Sequence, residues 1–206
     1  SDVYKRQILY YRQQLQWLGG IGIVVIAVSI LPMIGVGGMQ IYKAETPGPI
    51  KDTKLTPRIA ETANALFKIY VFLTVVCAIA YWVAGMSWFD ALSHSFSTIS
   101  IGGFSTYNES LGHFDNNAVL TIASIFMVVS GLNFALHYTA WHARSIKSYI
   151  SDPEARLFVL VILFGILVTT YFLYTTASMP NEEILFVGIF QLISILTTTG
   201  LSLIHI

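Results

Sequence analysis

Four stretches of this sequence are apolar over the length a helix needs to cross a bilayer, about 20 residues. They are Trp17–Val36, Ile69–Gly85 with an extension back to Ile59, Ala118–Trp141 and Leu157–Thr176. Hydrocarbon offers no partner for backbone N–H and C=O groups, so separate spans of this kind must satisfy themselves as α-helices. The composition agrees, with 55% hydrophobic and only 11% charged residues and a mean hydropathy of +0.68. An all-α membrane protein is therefore the expected fold class, with lipid as its surround. Lys+Arg and Asp+Glu are equal at 11 each, so no basic excess points to nucleic acid.

Two further apolar segments, Trp88–Thr98 and Glu182–Leu196, are too short to span, and each runs into a Gly- or Thr-rich stretch. A short helix that continues as irregular backbone is tolerated at membrane depth only where that backbone is buried in protein or lines a watery cavity. This is the pore-helix arrangement. Lys43, Lys51, Lys54 and Arg58 lie between the first two spans, and Arg144, Lys147 and Arg156 between the last two. No Lys or Arg occurs from Tyr81 to Tyr138 or from Leu157 onwards. By the positive-inside rule the two basic connections are cytoplasmic, and the short helices with their loops open from the outside.

The first connection, Met39–Pro57, carries Pro47-Gly48-Pro49 and is expected to be a turn-rich strap. Thr56-Pro57-Arg58 and Asp152-Pro153-Glu154 read as helix starts. The order is then span, strap, span, short helix, loop, span, strap, span, short helix, loop. A unit is repeated, and its second copy is cut short.

Aligned without gaps, Ser97-Thr-Ile-Ser-Ile-Gly-Gly103 falls on Ser194-Ile-Leu-Thr-Thr-Thr-Gly200. Serine meets serine and glycine meets glycine. A dehydrated potassium ion needs a ring of oxygens in place of its water shell, and backbone carbonyls from several copies of one loop supply it. Glycine suits such a loop because it accepts positive φ. The candidate filter residues are Ser100, Ile101, Gly102 and Gly103 with Thr197, Thr198, Thr199 and Gly200, the hydroxyls either adding oxygens or bonding the loop in place. One Gly-Gly turn alone reads as a membrane-surface turn; two at matching positions make internal symmetry the stronger signal.

Gln16-Trp-Leu-Gly-Gly-Ile-Gly22, Leu31-Pro-Met-Ile-Gly-Val-Gly-Gly-Met-Gln40, Ala44-Glu-Thr-Pro-Gly-Pro49, Pro57-Arg-Ile-Ala-Glu-Thr62, His94-Ser-Phe-Ser-Thr98, Gly102-Gly-Phe-Ser-Thr106 and Ser130-Gly-Leu-Asn-Phe134 resemble the TrkH branch of the Trk/Ktr/HKT potassium transporter superfamily. The resemblance covers nearly all of residues 8–200. It implies helix–pore helix–filter loop–helix repeats of the potassium-channel type, four of them around one pore and here incomplete. It further implies potassium uptake across the bacterial inner membrane, a homodimer, and a TrkA-type cytosolic nucleotide-binding regulatory subunit. No enzyme activity and no cofactor beyond the transported potassium are expected. Ile101 stands where a threonine is expected in many relatives, so this position keeps a carbonyl but offers no hydroxyl.

On this map residues 8–38 form the closing helix of a first repeat, 39–57 the cytoplasmic strap, and 58–149 a complete second repeat. Residues 150–200 open a third repeat and stop at its filter. Residues 1–7 and 201–206 read as non-native ends. Asp2-Val-Tyr-Lys-Arg-Gln7 is the translation of a common sequencing-library transposon end, and Leu201-Ser-Leu-Ile-His-Ile206 that of its reverse complement.

The remaining candidates carry less. Cys77 is alone in an apolar run, with no partner for a disulfide or thiolate site. His94, His113, His137 and His142 lack metal-ligand spacing, His137 and His142 being five apart rather than four. Gly131 is read as allowing close helix packing, and Asn133 as a buried amide in need of a partner. Glu61 and Lys68 read as snorkelling or solvated charges at a span's cytoplasmic end. Asp90, Glu109, Asp115, Glu182 and Glu183 either concentrate cations at the external mouth or are ordinary loop charges. The alternative function is a secondary transporter of another small solute with broken helices, which calls for polar residues inside the spans.

Overall fold

The computed structural model describes residues 2–34, 55–176 and 181–203. All regular structure among them is helical: α1 (Asp2–Ile34), α2 (Leu55–Val83), α3 (Trp88–Ile99), a 3-10 turn (Ser110–Phe114), α4 (Asn117–Gly131), α5 (Phe134–Ala143), α6 (Lys147–Ser151), α7 (Pro153–Thr176) and α8 (Asn181–Leu196). Expected and observed bounds agree closely for the two short helices and the second and fourth spans. Ala63–Val83 and Pro153–Phe172 are each long and apolar enough to cross a membrane. The first expected span, Trp17–Val36, follows α1 as far as Ile34; the strap at 39–57 lies outside the described residues up to position 54.

The expected third span, Ala118–Trp141, is not one helix. The chain breaks at Leu132 and Asn133, and the two arms, Asn117–Gly131 and Leu136–Ala143, are bent by 95°. Gly131 sits at the break with Phe158 of α7 and Thr197 packed against its Cα side. Asn133, expected to be buried, is exposed.

Local chemistry sets the helix starts. Ser87 caps α3, its Oγ accepting from the Asp90 amide at 3.2 Å, and Asp90 adds negative charge in the first turn, where the helix dipole favours it. Asn116 caps α4 through Ala118 N (2.9 Å) and donates to the Ala84 carbonyl at the end of α2 (2.8 Å). Asp152 Oδ1 accepts from Ala155 N (2.8 Å) just before Pro153, as the sequence signal requires.

Packing then gathers the short helices at the centre. The α2–α3 and α7–α8 pairs form the repeated unit, α1 lies against both α2 and α3, and α4 lies against α8. One apolar core joins them, with Tyr81, Cys77, Ile99, Met127, Phe190 and Leu201 buried in it. Cys77 is thus a packing residue. Trp17 Nε1 donates to Thr74 Oγ1 (3.0 Å) and Tyr70 OH to the Trp17 carbonyl (2.9 Å), fastening α1 to α2. At Gly20 the α1 backbone comes so close to the first candidate loop that a Cβ would stand 2.8 Å from Ser100 Cβ.

Candidate ion-filter loops

Each short helix ends in the same turn. Beyond α3, Ser100 N donates to Phe96 O (3.1 Å), Ile101 N to Thr98 O (3.3 Å) and Gly102 N to Ser97 O (2.8 Å). Beyond α8, at the positions the sequence alignment pairs with these, Thr197 N donates to Ile193 O (2.9 Å), Thr198 N to Ile195 O (2.9 Å) and Thr199 N to Ser194 O (2.9 Å). The dihedrals pair as well. Ile101 and Thr198 have φ of 55° and 59°, Gly103 and Gly200 have φ of 79° and 82°. Left-handed backbone at the glycines carries no side-chain penalty, whereas a β-branched residue there is a true outlier held by its surroundings.

The eight candidate residues thus form two matching arcs, and the arcs touch. A Cβ built on Gly103 would overlap the Thr199 carbonyl oxygen, while one on Gly200 meets nothing. Among the described residues, none of the backbone carbonyls of Ser100–Gly103 or Thr197–Gly200 accepts a hydrogen bond. The hydroxyls behave differently. Thr197 Oγ1 donates to Ile193 O (2.7 Å) and pairs with Thr199 Oγ1 (2.8 Å), both side chains being buried. Those two hydroxyls bond the loop in place; Thr198 is exposed, and the Ile101 side chain is half-buried.

A polar cluster that the sequence reading did not assemble backs the first arc. Asp90 is only 6% exposed, so it is neither a free charge at a mouth nor an ordinary loop charge. Its carboxylate accepts from Ser87 Oγ (2.6 Å), Thr106 Oγ1 (2.9 Å) and Tyr107 OH (3.2 Å). His94, fully buried, donates from Nδ1 to the Asp90 carbonyl (2.8 Å), which leaves Nε2 to accept the Ser105 hydroxyl (2.8 Å). From α1, Gln13 Nε2 donates to Phe104 O (2.9 Å), Arg12 donates to Ser105 O, and its guanidinium lies 4.8 Å from the centre of the Phe104 ring. The signal available was the Ser87-x-x-Asp90-x-x-x-His94 spacing, which puts all three on one helix face.

Other expected candidates fall elsewhere. Glu109 pairs with His113 at the surface (3.2 Å), and Asp115 is exposed. The side chains of Glu61, Glu182 and Glu183 lie outside the described residues. His137 bridges Tyr149 OH (2.8 Å) and the Val129 carbonyl (2.9 Å), and His142 bonds its own helix at Tyr138 O (3.1 Å).

Spanning helices that frame re-entrant helix–loop units of one backbone form define a membrane protein of the pore-loop class. The family model described as TrkH, cation transport protein, matches residues 1–206, and the chain belongs to that family. It is 54% identical over 201 residues to the Trk system potassium uptake protein TrkH of Halomonas elongata, covering 98% of this chain and 42% of that protein. It is 50% identical over 204 residues to TrkH of Escherichia coli K12, covering 97% and 41%. The crystal structure of the potassium transporter TrkH from Vibrio parahaemolyticus superposes with a TM-score of 0.81 at 44% identity, over 97% of this chain and 40% of that one. The chain therefore spans about two-fifths of the length of these relatives.

Proposed function

We propose that the chain contributes two filter segments to a pore that carries potassium into the cell across the bacterial inner membrane. Residues 58–149 supply a complete second repeat, 150–200 the opening of a third, and 8–38 the closing helix of a first. The observation that carries this reading is the pair of abutting arcs with one backbone form and unclaimed carbonyls at Ser100–Gly103 and Thr197–Gly200. Ser100–Gly103 are half-buried and Thr198 and Gly200 exposed, so carbonyls that no donor of the described residues claims are open to a partner from outside the chain, and a cation stripped of water is such a partner. The chemistry is non-covalent and needs no cofactor besides the ion. The relatives' names speak of a Trk system; in keeping with that, the intact protein is proposed to be a homodimer working with a TrkA-type cytosolic nucleotide-binding subunit.

The test uses the full-length parent protein in bacteria deficient in potassium uptake. Growth at low potassium is expected to be restored by the parent and abolished by Gly103→Asp or Gly200→Asp. Undiminished rescue by either variant rejects the filter assignment.

A further inference from the structure

The filter strand that ends at Gly103 is held at both ends, by different means. Its inner end hangs on main-chain bonds to α3, from Ile101 N and Gly102 N. Its outer end is held by four side chains acting on the next four residues. Gln13 takes the Phe104 carbonyl, Arg12 and His94 take Ser105, and Asp90 takes both the Thr106 hydroxyl and the Tyr107 phenol.

Asp90 is the hub of this grip. Two carboxylate oxygens offer about four acceptor sites, and three hydroxyl donors from Ser87, Thr106 and Tyr107 use them. An asparagine would present one acceptor oxygen and an NH2 group aimed at hydroxyls that already have donors to place. A buried carboxylate is costly unless hydrogen-bonded in this way. Among the described residues the other arc has no such carboxylate hub; beyond it Ser202 N donates to Ser110 Oγ (3.0 Å) and Leu111 N to the Ser202 carbonyl (3.2 Å). The same offset of 97 residues sets Val187 at the place of Asp90 and Gln191 at His94.

We propose that Asp90 is a positioning residue for ion selection: without meeting the ion, it fixes the outer end of the Ser100–Gly103 strand so that its carbonyls keep the spacing a dehydrated potassium ion requires. The inference rests on the filter reading above. Freed at Thr106 and Tyr107, the strand would remain attached to α3 and still pass cations, yet its oxygens could close around the smaller sodium ion. Discrimination should then fall before conduction does.

The experiment compares rubidium and sodium uptake into vesicles carrying the full-length parent protein, its Asp90→Asn variant or its Gly103→Asp variant, with the amount of membrane-inserted protein measured for each. Asp90→Asn is expected to lower the rubidium-to-sodium ratio about ten-fold, the scale of hydrogen bonds lost at a charged group, with rubidium uptake retained. Thr106→Val and Tyr107→Phe each remove one donor and are expected to lower the ratio about three-fold; they carry the test if the asparagine variant does not reach the membrane. An unchanged ratio in these variants, whether uptake is normal or both ions fall together, overturns the positioning role. Gly103→Asp separates the two levels. If it blocks rubidium while the Asp90 ratio is unchanged, only the positioning role fails; if it conducts normally, the filter reading fails and this inference with it.

Discussion

Ile101 and Thr198 turn through φ of 55° and 59°, yet the loops they belong to are secured by different chemistry. The first is gripped from outside itself, by Asp90 and His94 of α3 and by Arg12 and Gln13 of α1. The second is held by its own residues, through the Thr197–Thr199 hydroxyl pair and through Ser194 Oγ, which donates to the Leu201 carbonyl at 2.6 Å, and beyond them by Ser110 and Leu111, which bond the Ser202 backbone. Where His94 uses both ring nitrogens, its counterpart Gln191 leaves a buried amide nitrogen unpartnered among the described residues. The difference teaches that main-chain bonds from the last turn of a short helix set the shape of such a loop, while the side chains decide only how firmly it is kept.

That contrast can be broken most forcefully at the glycines. Gly103→Ala is expected to abolish rubidium uptake by the parent protein, because its Cβ would enter the space of the Thr199 carbonyl. Gly200→Ala meets no such obstacle and faces only the left-handed φ, a penalty of roughly 1–2 kcal/mol, so uptake should be weakened rather than lost. Equal loss in both variants would mean that the contact between the arcs does not matter. A smaller difference is expected at the paired serines. Ser194→Ala removes a buried hydrogen bond worth about 1 kcal/mol and should lower the unfolding midpoint of the detergent-solubilised protein, whereas Ser97→Ala removes a hydroxyl without a partner among the described residues and should leave it unchanged. Thermal unfolding followed by fluorescence reads both. The smallest effect is expected at the surface: Glu109→Gln should change rubidium uptake less than about two-fold, and only at low salt, because exposed charges are screened within roughly 10 Å at 0.1 M ionic strength.

Much of the fold was legible in the sequence because length and hydropathy alone separate the spanning α2 and α7 from the short α3 and α8. The loop symmetry was legible too. Ser97 with Ser194 and Gly103 with Gly200 were enough to pair the residues that turn out to share dihedrals. The break after Gly131 was not, since apolar residues continue on both sides of it and hydropathy carries no information about a 95° turn. Asp90 was misjudged for a related reason. A carboxylate near a loop reads as solvated until the donors that surround it, from positions 87, 106 and 107, are brought together in space.

The overlap awaiting any side chain at position 103 also bears on how such repeats can diverge after duplication. The atom that forbids a larger residue there belongs to the main chain of the neighbouring arc, at Thr199. No substitution of the Thr199 side chain can move its own carbonyl out of the way, so the constraint cannot be lifted by a compensating change at that partner. The two loops are free to exchange hydroxyls, acids and amides over generations, but at position 103 drift is closed whatever side chain stands at 199.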